Sequence, residues 1–143
     1  MGRKRPTDMI AVDTSALIAI ILNEPEREAF LAALDDASTI VISAASLVET
    51  RLVAWSRGQQ PLVDEVNALI LAFGIEIGPI SGAEADFAHT GNTTYGKGNG
   101  HPAQLNFGDL FSYALAKSRN IPLLFKGDDF SKTDIVSAVS RVA

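Results

Sequence analysis

Short apolar stretches alternate with longer amphipathic ones over most of this chain. Four stretches rich in apolar and β-branched residues predict β-strands at 7–12, 39–43, 75–77 and 121–125. Between them, apolar residues recur every three or four positions and predict α-helices at 14–21, 25–34, 44–55, 62–73 and 106–117. Strands that alternate with helices in one domain pair as a parallel sheet covered on both faces. We therefore predict an α/β fold of three layers, α/β/α, around a central parallel sheet.

Helix start signals place several boundaries. Thr14 or Ser15 is a suitable N-cap for the first helix, and Pro25 stands where a first-turn proline belongs. The run Ser81-Gly82-Ala83-Glu84 has the spacing of a capping box, so another helix begins there. Asn106 caps the helix that follows a glycine-rich loop, and a last short strand is predicted at 135–139. No internal repeat, linker or low-complexity segment interrupts 9–143, which we assign to a single domain.

The composition is that of one small globular domain. The chain has 143 residues, of which 47% are hydrophobic and 20% charged, enough to bury one substantial core. The absence of cysteine excludes disulfides and thiolate metal sites. No apolar run approaches the roughly 20 residues of a membrane helix, so we expect a cytoplasmic protein with no membrane partner. Residues 1–8 carry the basic run Arg3-Lys4-Arg5 with no signal-peptide core after it. We expect a flexible leader there, with a nucleic-acid contact as the alternative.

The net charge limits the classes of function. It is −5, with a sequence pI near 4.9. Proteins that coat nucleic acid nonspecifically are basic, because neutralising phosphates supplies most of their affinity. The charge therefore excludes a packaging protein. An enzyme that acts on nucleic acid remains open, because a bound metal ion reverses the local charge where a phosphate must sit.

Four segments each place a carboxylate where this fold gathers functional groups. Asp13 follows the first strand, Glu49 lies on a helix, Asp109 lies in the first turn of another helix, and Asp128-Asp129 follow the strand at 121–125. Ligands in parallel sheets bind beyond the carboxyl ends of the strands. Carboxylates that lie close together repel and raise one another's pKa unless a cation sits between them. The pattern therefore predicts a site for Mg²⁺ or Mn²⁺, hard cations that prefer oxygen ligands.

Each of these acids also has a purely structural interpretation. Asp13 could cap the helix that follows it, and Glu49 could lie on a solvated helix face. Asp109 could only complement the helix dipole, and Asp128 and Asp129 could be turn residues. The supporting polar groups that we expect to orient the acids are Thr14, Ser15, Asn106 and Asp128. Candidate contacts to the phosphates of a substrate, which could instead be solvated lysines, are Lys97, Lys117 and Lys126.

Competing motifs are weaker. The run Gly91–Lys97 matches most of a phosphate-binding loop, but Gly98 replaces the Ser or Thr that would bind Mg²⁺, and the run follows a helix. No glycine-rich dinucleotide motif follows the first strand. Asp13-Thr14-Ser15 is partly similar to the aspartyl-phosphate phosphatases, but it lacks their second acid. A metal-dependent phosphatase of small phosphate esters is kept as an alternative, as is a catalytically silent binding module.

Together the motifs carry a family resemblance. The chain has Val-Asp-Thr-Ser-Ala-Leu at 12–17, Ser-Leu-Val-Glu-Thr at 46–50 and Asn-Phe-Gly-Asp at 106–109. It continues with Tyr-Ala-Leu-Ala-Lys at 113–117 and Leu-Leu-Phe-Lys-Gly-Asp-Asp-Phe at 123–130. From Met9 to about Val139 this order resembles the PIN-domain ribonucleases and, more narrowly, the VapC toxins. By that resemblance Asp13, Glu49 and Asp109 match the family's three main acids. Its Gly-x-Asp-Phe form points to Asp129 as the fourth, with Asp128 as the alternative.

The resemblance implies a function and a set of partners. It implies an endoribonuclease dependent on Mg²⁺ or Mn²⁺ that acts as the toxin of a VapBC-like toxin–antitoxin pair. The expected partners are an RNA substrate, a VapB-like antitoxin and a second copy of the chain in a homodimer. The apolar faces of 44–55 and 62–73 are predicted to supply the antitoxin groove and the dimer contact, with plain core as the alternative.

Overall fold

The computed structural model describes residues 8–139, which contain one parallel sheet and five helices. The four strands are β1 Met9–Val12, β2 Thr39–Ser43, β3 Glu76–Gly78 and β4 Leu123–Leu124, in the sheet order β3-β2-β1-β4. The helices are α1 Thr14–Ile21, α2 Arg27–Asp36, α3 Ala44–Ala72, α4 Gly82–Tyr95 and α5 Phe107–Arg119. None of the helices in this described part is long and apolar enough to cross a membrane.

The sheet alternates its side chains between two apolar cores. Parallel pairing aligns Ile10 with Ile40 and Ala11 with Leu123. Ile10 and Ile40 belong to the core shared with α1, α2 and α3, whereas Ala11 and Leu123 belong to the core shared with α5. Helix α4 packs on α5 on that second side. The alternation follows from the two-residue period of a strand, and it confirms the predicted three-layer α/β/α fold.

The helix predicted at 44–55 and the one predicted at 62–73 are joined. Helix α3 spans Ala44–Ala72 but is interrupted at Gln59, whose φ 57° and ψ −149° are not helical. Pro61 follows in the first turn after this kink, where its missing N–H costs no hydrogen bond. The two predicted helices are therefore two arms of one kinked element.

Three other expectations need comment. The strand predicted at 135–139 is reduced to a bridge, in which Leu123 N–H donates to the carbonyl of Val136 at 2.9 Å and Ala138 N–H donates to that of Leu123 at 2.9 Å. The prediction that Thr14 or Ser15 caps α1 is wrong, because Asp13 is the cap. Residues 1–7 of the predicted leader lie outside the described residues.

Candidate active site

Asp13 lies where β1 ends and α1 begins, and both oxygens of its carboxylate accept hydrogen bonds. The side chain is 5% exposed. One oxygen, Oδ2, accepts from the backbone N–H of Ser15 at 3.0 Å and from the Ser15 hydroxyl at 2.7 Å. The other, Oδ1, accepts from the hydroxyl of Ser112 at 2.5 Å. The capping role that the sequence offers as an alternative is therefore real, and it does not exclude a role in a site.

Glu49 is held between α1 and α5. Its Oε1 lies 3.2 Å from the hydroxyl of Thr14, whose single hydrogen is shared between this carboxylate and the carbonyl of Ser46. Its Oε2 lies so close to the start of α5 that a Cβ on Gly108 would be 2.6 Å from it. Any larger residue at 108 would therefore displace the carboxylate. Burial first, and then repulsion by Asp13, raise the pKa of Glu49, which excludes the solvated helix face.

Asp109 forms a reciprocal cap with Asn106 at the start of α5. The N–H of Asp109 donates to Asn106 Oδ1 at 2.9 Å, and the N–H of Asn106 donates to Asp109 Oδ2 at 3.0 Å. Such a bond stabilises the charged carboxylate, yet the pKa of Asp109 is raised to about 6. Burial is the largest cause, and repulsion by Asp13, Asp129 and Glu49 adds to it. The four carboxylates thus act on one another, and we call them the acid cluster.

The fourth acid comes from the loop after β4. Gly127 has φ +99°, a conformation that side chains rarely adopt, and it turns the chain toward the short 3₁₀ helix Phe130–Lys132. Buried Phe130 anchors this helix in the core around α5. Asp129 is the member of the Asp128-Asp129 pair whose charge contributes to the raised pKa of Asp109. Asp128 lines an outer cleft that also contains Glu26.

A network of buried hydroxyls lies behind the acid cluster. Thr14 donates to the carbonyl of Ser46 at 2.9 Å, and Thr50 lies 2.9 Å from the Thr14 hydroxyl and 2.7 Å from that same carbonyl. The hydroxyls of Ser46 and Ser112 are 3.1 Å apart. Of these residues, the sequence motifs point only to Thr14, and not to Ser46, Thr50 or Ser112. The spacing of Asp109 and Ser112 could have identified Ser112, because residues three apart lie on the same helix face.

The three lysines predicted to contact RNA have different surroundings. Lys126 Nζ lies 2.9 Å from Glu24 Oε1 and 3.4 Å from Glu26 Oε1, so its charge is engaged at the α1–α2 connection. Lys117 Nζ lies 2.9 Å from Asp134 Oδ2. Lys97 lies in the loop between α4 and α5, where its backbone N–H donates to the carbonyl of Leu105 at 2.8 Å. Lys117 and Lys126 therefore form ion pairs with acids outside the acid cluster.

The donors of the acid cluster fit a hard divalent cation by chemistry, although they do not form a closed cage. Within 8–139, no three acidic or histidine side chains are arranged to hold an ion by themselves. Both oxygens of Asp13 already accept hydrogen bonds, which leaves few directions for direct coordination. Mg²⁺ tolerates such a site, because it keeps several of its waters and takes one or two carboxylates directly. Burial and repulsion by the neighbouring carboxylates raise the pKa of Asp109. A bound cation would relieve that repulsion.

Comparison with known proteins places the chain in a family. The family model of the PIN domain matches residues 10–136. The VapC ribonuclease Mb0640 of Mycobacterium bovis is 41% identical over 128 residues, which cover 90% of this chain and 97% of the relative. The chain is a VapC-type PIN-domain protein. Ribonuclease VapC28 of Mycobacterium tuberculosis is 40% identical over 130 residues, which cover 91% of this chain and 98% of the relative.

Solved structures agree on the fold. VapC20 of Mycobacterium tuberculosis, described as a toxin that cleaves the sarcin–ricin loop, has a TM-score of 0.73 at 18% identity. The match covers 92% of this chain and 99% of VapC20. VapBC2 of Rickettsia felis, solved with a promoter DNA fragment, has a TM-score of 0.68 at 16% identity over 90% of this chain and 96% of that one. The family resemblance inferred from the motifs is confirmed by the family model and by the relatives at about 40% identity.

Proposed function

We propose that this PIN domain is a cytoplasmic endoribonuclease dependent on Mg²⁺ or Mn²⁺, and that it acts as the toxin of a VapBC-like pair. The observation that carries the proposal is the convergence of Asp13, Glu49 and Asp109, which contacts through Thr14, Gly108 and Ser112 hold together. The pKa of Asp109, raised to about 6, agrees with it. Three other carboxylates contribute to this raised pKa, in a chain whose relatives at about 40% identity are named ribonucleases. Four acids that lie together despite burial and mutual repulsion indicate a cation site.

In this proposal each acid has a role suited to its surroundings. A bound Mg²⁺ or Mn²⁺ would lower the pKa of water and stabilise negative charge on the leaving oxygen. Asp13, Asp109 and Asp129 would hold the cation directly or through water. Glu49, kept in place by Thr14 and by the close approach of Gly108, would complete the pocket. The hydroxyl of Ser15 orients the carboxylate of Asp13, and the backbone N–H of Asn106 orients that of Asp109.

RNA cleavage with and without EDTA tests the activity. Wild-type protein should cut RNA in Mg²⁺ or Mn²⁺, stop in EDTA and recover when the metal is restored. A matched assay with a small phosphate ester separates the phosphatase alternative, which predicts ester hydrolysis without RNA cleavage. A silent binding module would do neither and would show no stabilisation by Mn²⁺. Either of those results would contradict the proposal.

The fourth acid has a matched pair of variants in adjacent residues. We propose Asp129 for this role, because its charge acts on Asp109 while Asp128 lines the outer cleft. Asp129→Asn should lower cleavage by at least about tenfold, as expected when a group at the cation is lost. Asp128→Asn should leave cleavage close to the wild-type rate, because Asp128 lines the outer cleft and its charge is not among those that act on Asp109. The reverse order would transfer the role to Asp128.

Partner surfaces follow from the two arms of α3. The first arm exposes Val48, Leu52 and Trp55 by 56%, 65% and 52%. Their spacing of four and three residues puts them on one helix face. An apolar row this exposed is typical of an interaction site, and we propose it as part of the homodimer contact. Trp55→Glu should then yield monomers in light scattering without unfolding the protein. A dimer that survives this change would exclude the row from the contact.

The second arm borders an open cleft of about 340 Å³. Ile20, Leu31, Leu69 and Phe73 give it apolar walls, while Arg27 also lines it. We propose that an amphipathic helix of a VapB-like antitoxin docks here, with an arginine from its tail reaching the acid cluster, where it can bridge carboxylates bidentately. Co-expression with the small gene immediately upstream should give a complex that suppresses RNA cleavage. An upstream product that neither co-purifies nor inhibits would contradict the pairing and leave the nuclease proposal standing.

A further inference from the structure

Ser112 connects α5 to the far end of the site. It lies three residues after Asp109, is 1% exposed, and donates to Oδ1 of Asp13, 99 residues away in sequence. The same helix therefore supplies one acid of the cluster and the hydroxyl that holds another. Because this hydroxyl is buried, water does not compete for the carboxylate oxygen.

The direction of the hydrogen bonds follows from counting hydrogens. A serine hydroxyl has one hydrogen, and an ionised carboxylate only accepts. The hydrogen of Ser112 is therefore committed to Asp13. In the 3.1 Å contact between the hydroxyls of Ser46 and Ser112, Ser46 must then be the donor. Ser46 is also 1% exposed, so the chain of donation runs one way, from Ser46 through Ser112 to Asp13.

This chain limits how Asp13 can serve the site. The two oxygens of a carboxylate offer about four acceptor positions. Ser15 occupies two of them on Oδ2, through its N–H and its hydroxyl, and Ser112 occupies one on Oδ1. About one position remains for a cation or for a water molecule bound to it. The hydroxyl of Ser112 thus selects which lone pair of Asp13 is left available.

We propose that Ser112 is a positioning residue for RNA cleavage, which acts by fixing the carboxylate of Asp13, and that Ser46 holds the Ser112 hydroxyl in its donating orientation. The inference rests on the proposed nuclease function, since it concerns how one acid of that site is oriented. The competing explanation is that a small residue is needed at 112 only to let α5 pack against the sheet.

Three substitutions of Ser112 separate hydrogen-bond donation from packing. Ser112→Cys nearly preserves the volume but has a weak donor, Ser112→Ala has none, and Ser112→Thr keeps the hydroxyl. The Cys and Ala variants should lower kcat by 10- to 100-fold with KM for RNA unchanged, the range seen when groups behind a metal ligand are removed. Ser112→Thr should stay within about threefold of wild type. Ser118→Ala is the matched control, because Ser118 lies on the same helix and donates to Glu84 and Leu115 instead.

A second readout does not depend on activity. The Mn²⁺ concentration that gives half of the maximal rise in melting temperature should increase about tenfold in the Cys and Ala variants and stay unchanged in Ser118→Ala. Wild-type midpoints in Ser112→Cys, or equal losses in all three Ser112 variants, would overturn the proposal in favour of packing. If wild-type protein cleaves no RNA, the nuclease proposal fails, while this titration still decides the role of Ser112 in cation binding.

The role of Ser46 is tested by a double-mutant cycle. Ser46→Ala alone should lower kcat two- to fivefold, because Ser112 still donates but is no longer held. In the Ser112→Ala background the same change should have no further effect, since the hydroxyl it orients is gone. Equal effects in both backgrounds would overturn the one-way chain.

Discussion

Two helices of this protein begin with the same local motif, and the carboxylates of the two motifs have opposite pKa shifts. Helix α4 begins with Ser81 and Glu84, and α5 begins with Asn106 and Asp109, each a reciprocal cap across three residues. The N–H of Ser81 donates to Glu84 Oε1 at 2.8 Å, much as that of Asn106 does to Asp109. Yet the pKa of Glu84 is lowered to about 2, whereas that of Asp109 is raised to about 6.

The difference separates a structural cap from a site acid. Glu84 is surrounded by donors, since the hydroxyl of Ser81, its N–H and the hydroxyl of Ser118 all stabilise its charge. Asp109 has the same backbone donor, but burial and three neighbouring carboxylates outweigh it. The capping motif alone would thus produce the behaviour of Glu84. The opposite behaviour of Asp109 comes from its tertiary surroundings, and it supports the role that we propose for Asp109 in the site.

Substituting the two acids should give the largest contrast. Asp109→Asn and Glu84→Gln both keep an oxygen that can accept the cap hydrogen bond. We expect Asp109→Asn to lower RNA cleavage by more than 100-fold, because it removes a charged ligand from the acid cluster. Glu84→Gln should retain activity within twofold. Initial cleavage rates at saturating Mg²⁺ decide this, and comparable losses in both variants would remove the distinction between the two caps.

Stabilisation by metal should follow the same division. Only the folded state gathers the acids, so Mn²⁺ should stabilise it by mass action and raise the melting temperature. At a Mn²⁺ concentration 100 times the dissociation constant, the gain in unfolding free energy is about 2.7 kcal/mol. Wild type and Glu84→Gln should show equal rises, and Asp109→Asn little or none. A rise that persists in Asp109→Asn would place the cation elsewhere on the protein.

The sequence predicts the layers well because they depend on local patterns. Apolar runs identify the strands, and parallel strands bring the proposed site residues Asp13 and Asp129 to one edge of the sheet. The apolar periodicity of 44–55 does not say which of its residues are core, because Leu47 is buried while Leu52 and Trp55 are exposed.

The composition of the inner face of α3 explains why apolar periodicity does not reveal the hydroxyl network. The inner face of α3 contains Ser46, Thr50 and Ala54, small or polar residues that apolar periodicity overlooks. Ser46 and Thr50 are suited to this position because they hydrogen-bond with each other, with Thr14 and, through Ser46, with Ser112 of α5. The contact between Ser46 and Ser112 joins residues 66 positions apart, and no local pattern specifies it. The same holds for the close approach of Gly108 to Glu49.

Asp109 and Glu84 should change the pH dependence of the unfolding free energy in opposite directions. The folded pKa of Asp109, about 6, lies above its ordinary 3.8, so its contribution is complete below pH 3.8 and is lost as the pH rises through 6. The folded pKa of Glu84, about 2, lies below 4.5, so its contribution is present above pH 4.5 and is lost as the pH falls toward 2.

Denaturant unfolding in EDTA across this pH range measures both contributions. Relative to wild type, Asp109→Asn should gain on the order of 1–2 kcal/mol between pH 4 and 7, after allowance for partial solvent screening. The unfolding free energy of Glu84→Gln should change with pH in parallel with that of wild type above pH 5. Below pH 5 it should fall less steeply than that of wild type. A wild-type curve that rises from pH 4 to 7 and is copied by Asp109→Asn would contradict the repulsion assigned to Asp109.

The smallest expected effects concern the caps themselves, and they should be alike. Asn106→Ala and Ser81→Ala each remove one capping side chain and leave the backbone N–H that binds the acid three residues on. Each should cost about 1 kcal/mol of unfolding free energy, the ordinary value of an N-cap. Thermal melts in EDTA at pH 7 give both values, with helix content by circular dichroism as the control for folding. A much larger loss for Asn106→Ala would show that the caps differ already at the local level. Equal losses would leave the surroundings of Asp109, rather than its motif, as the source of the contrast with Glu84.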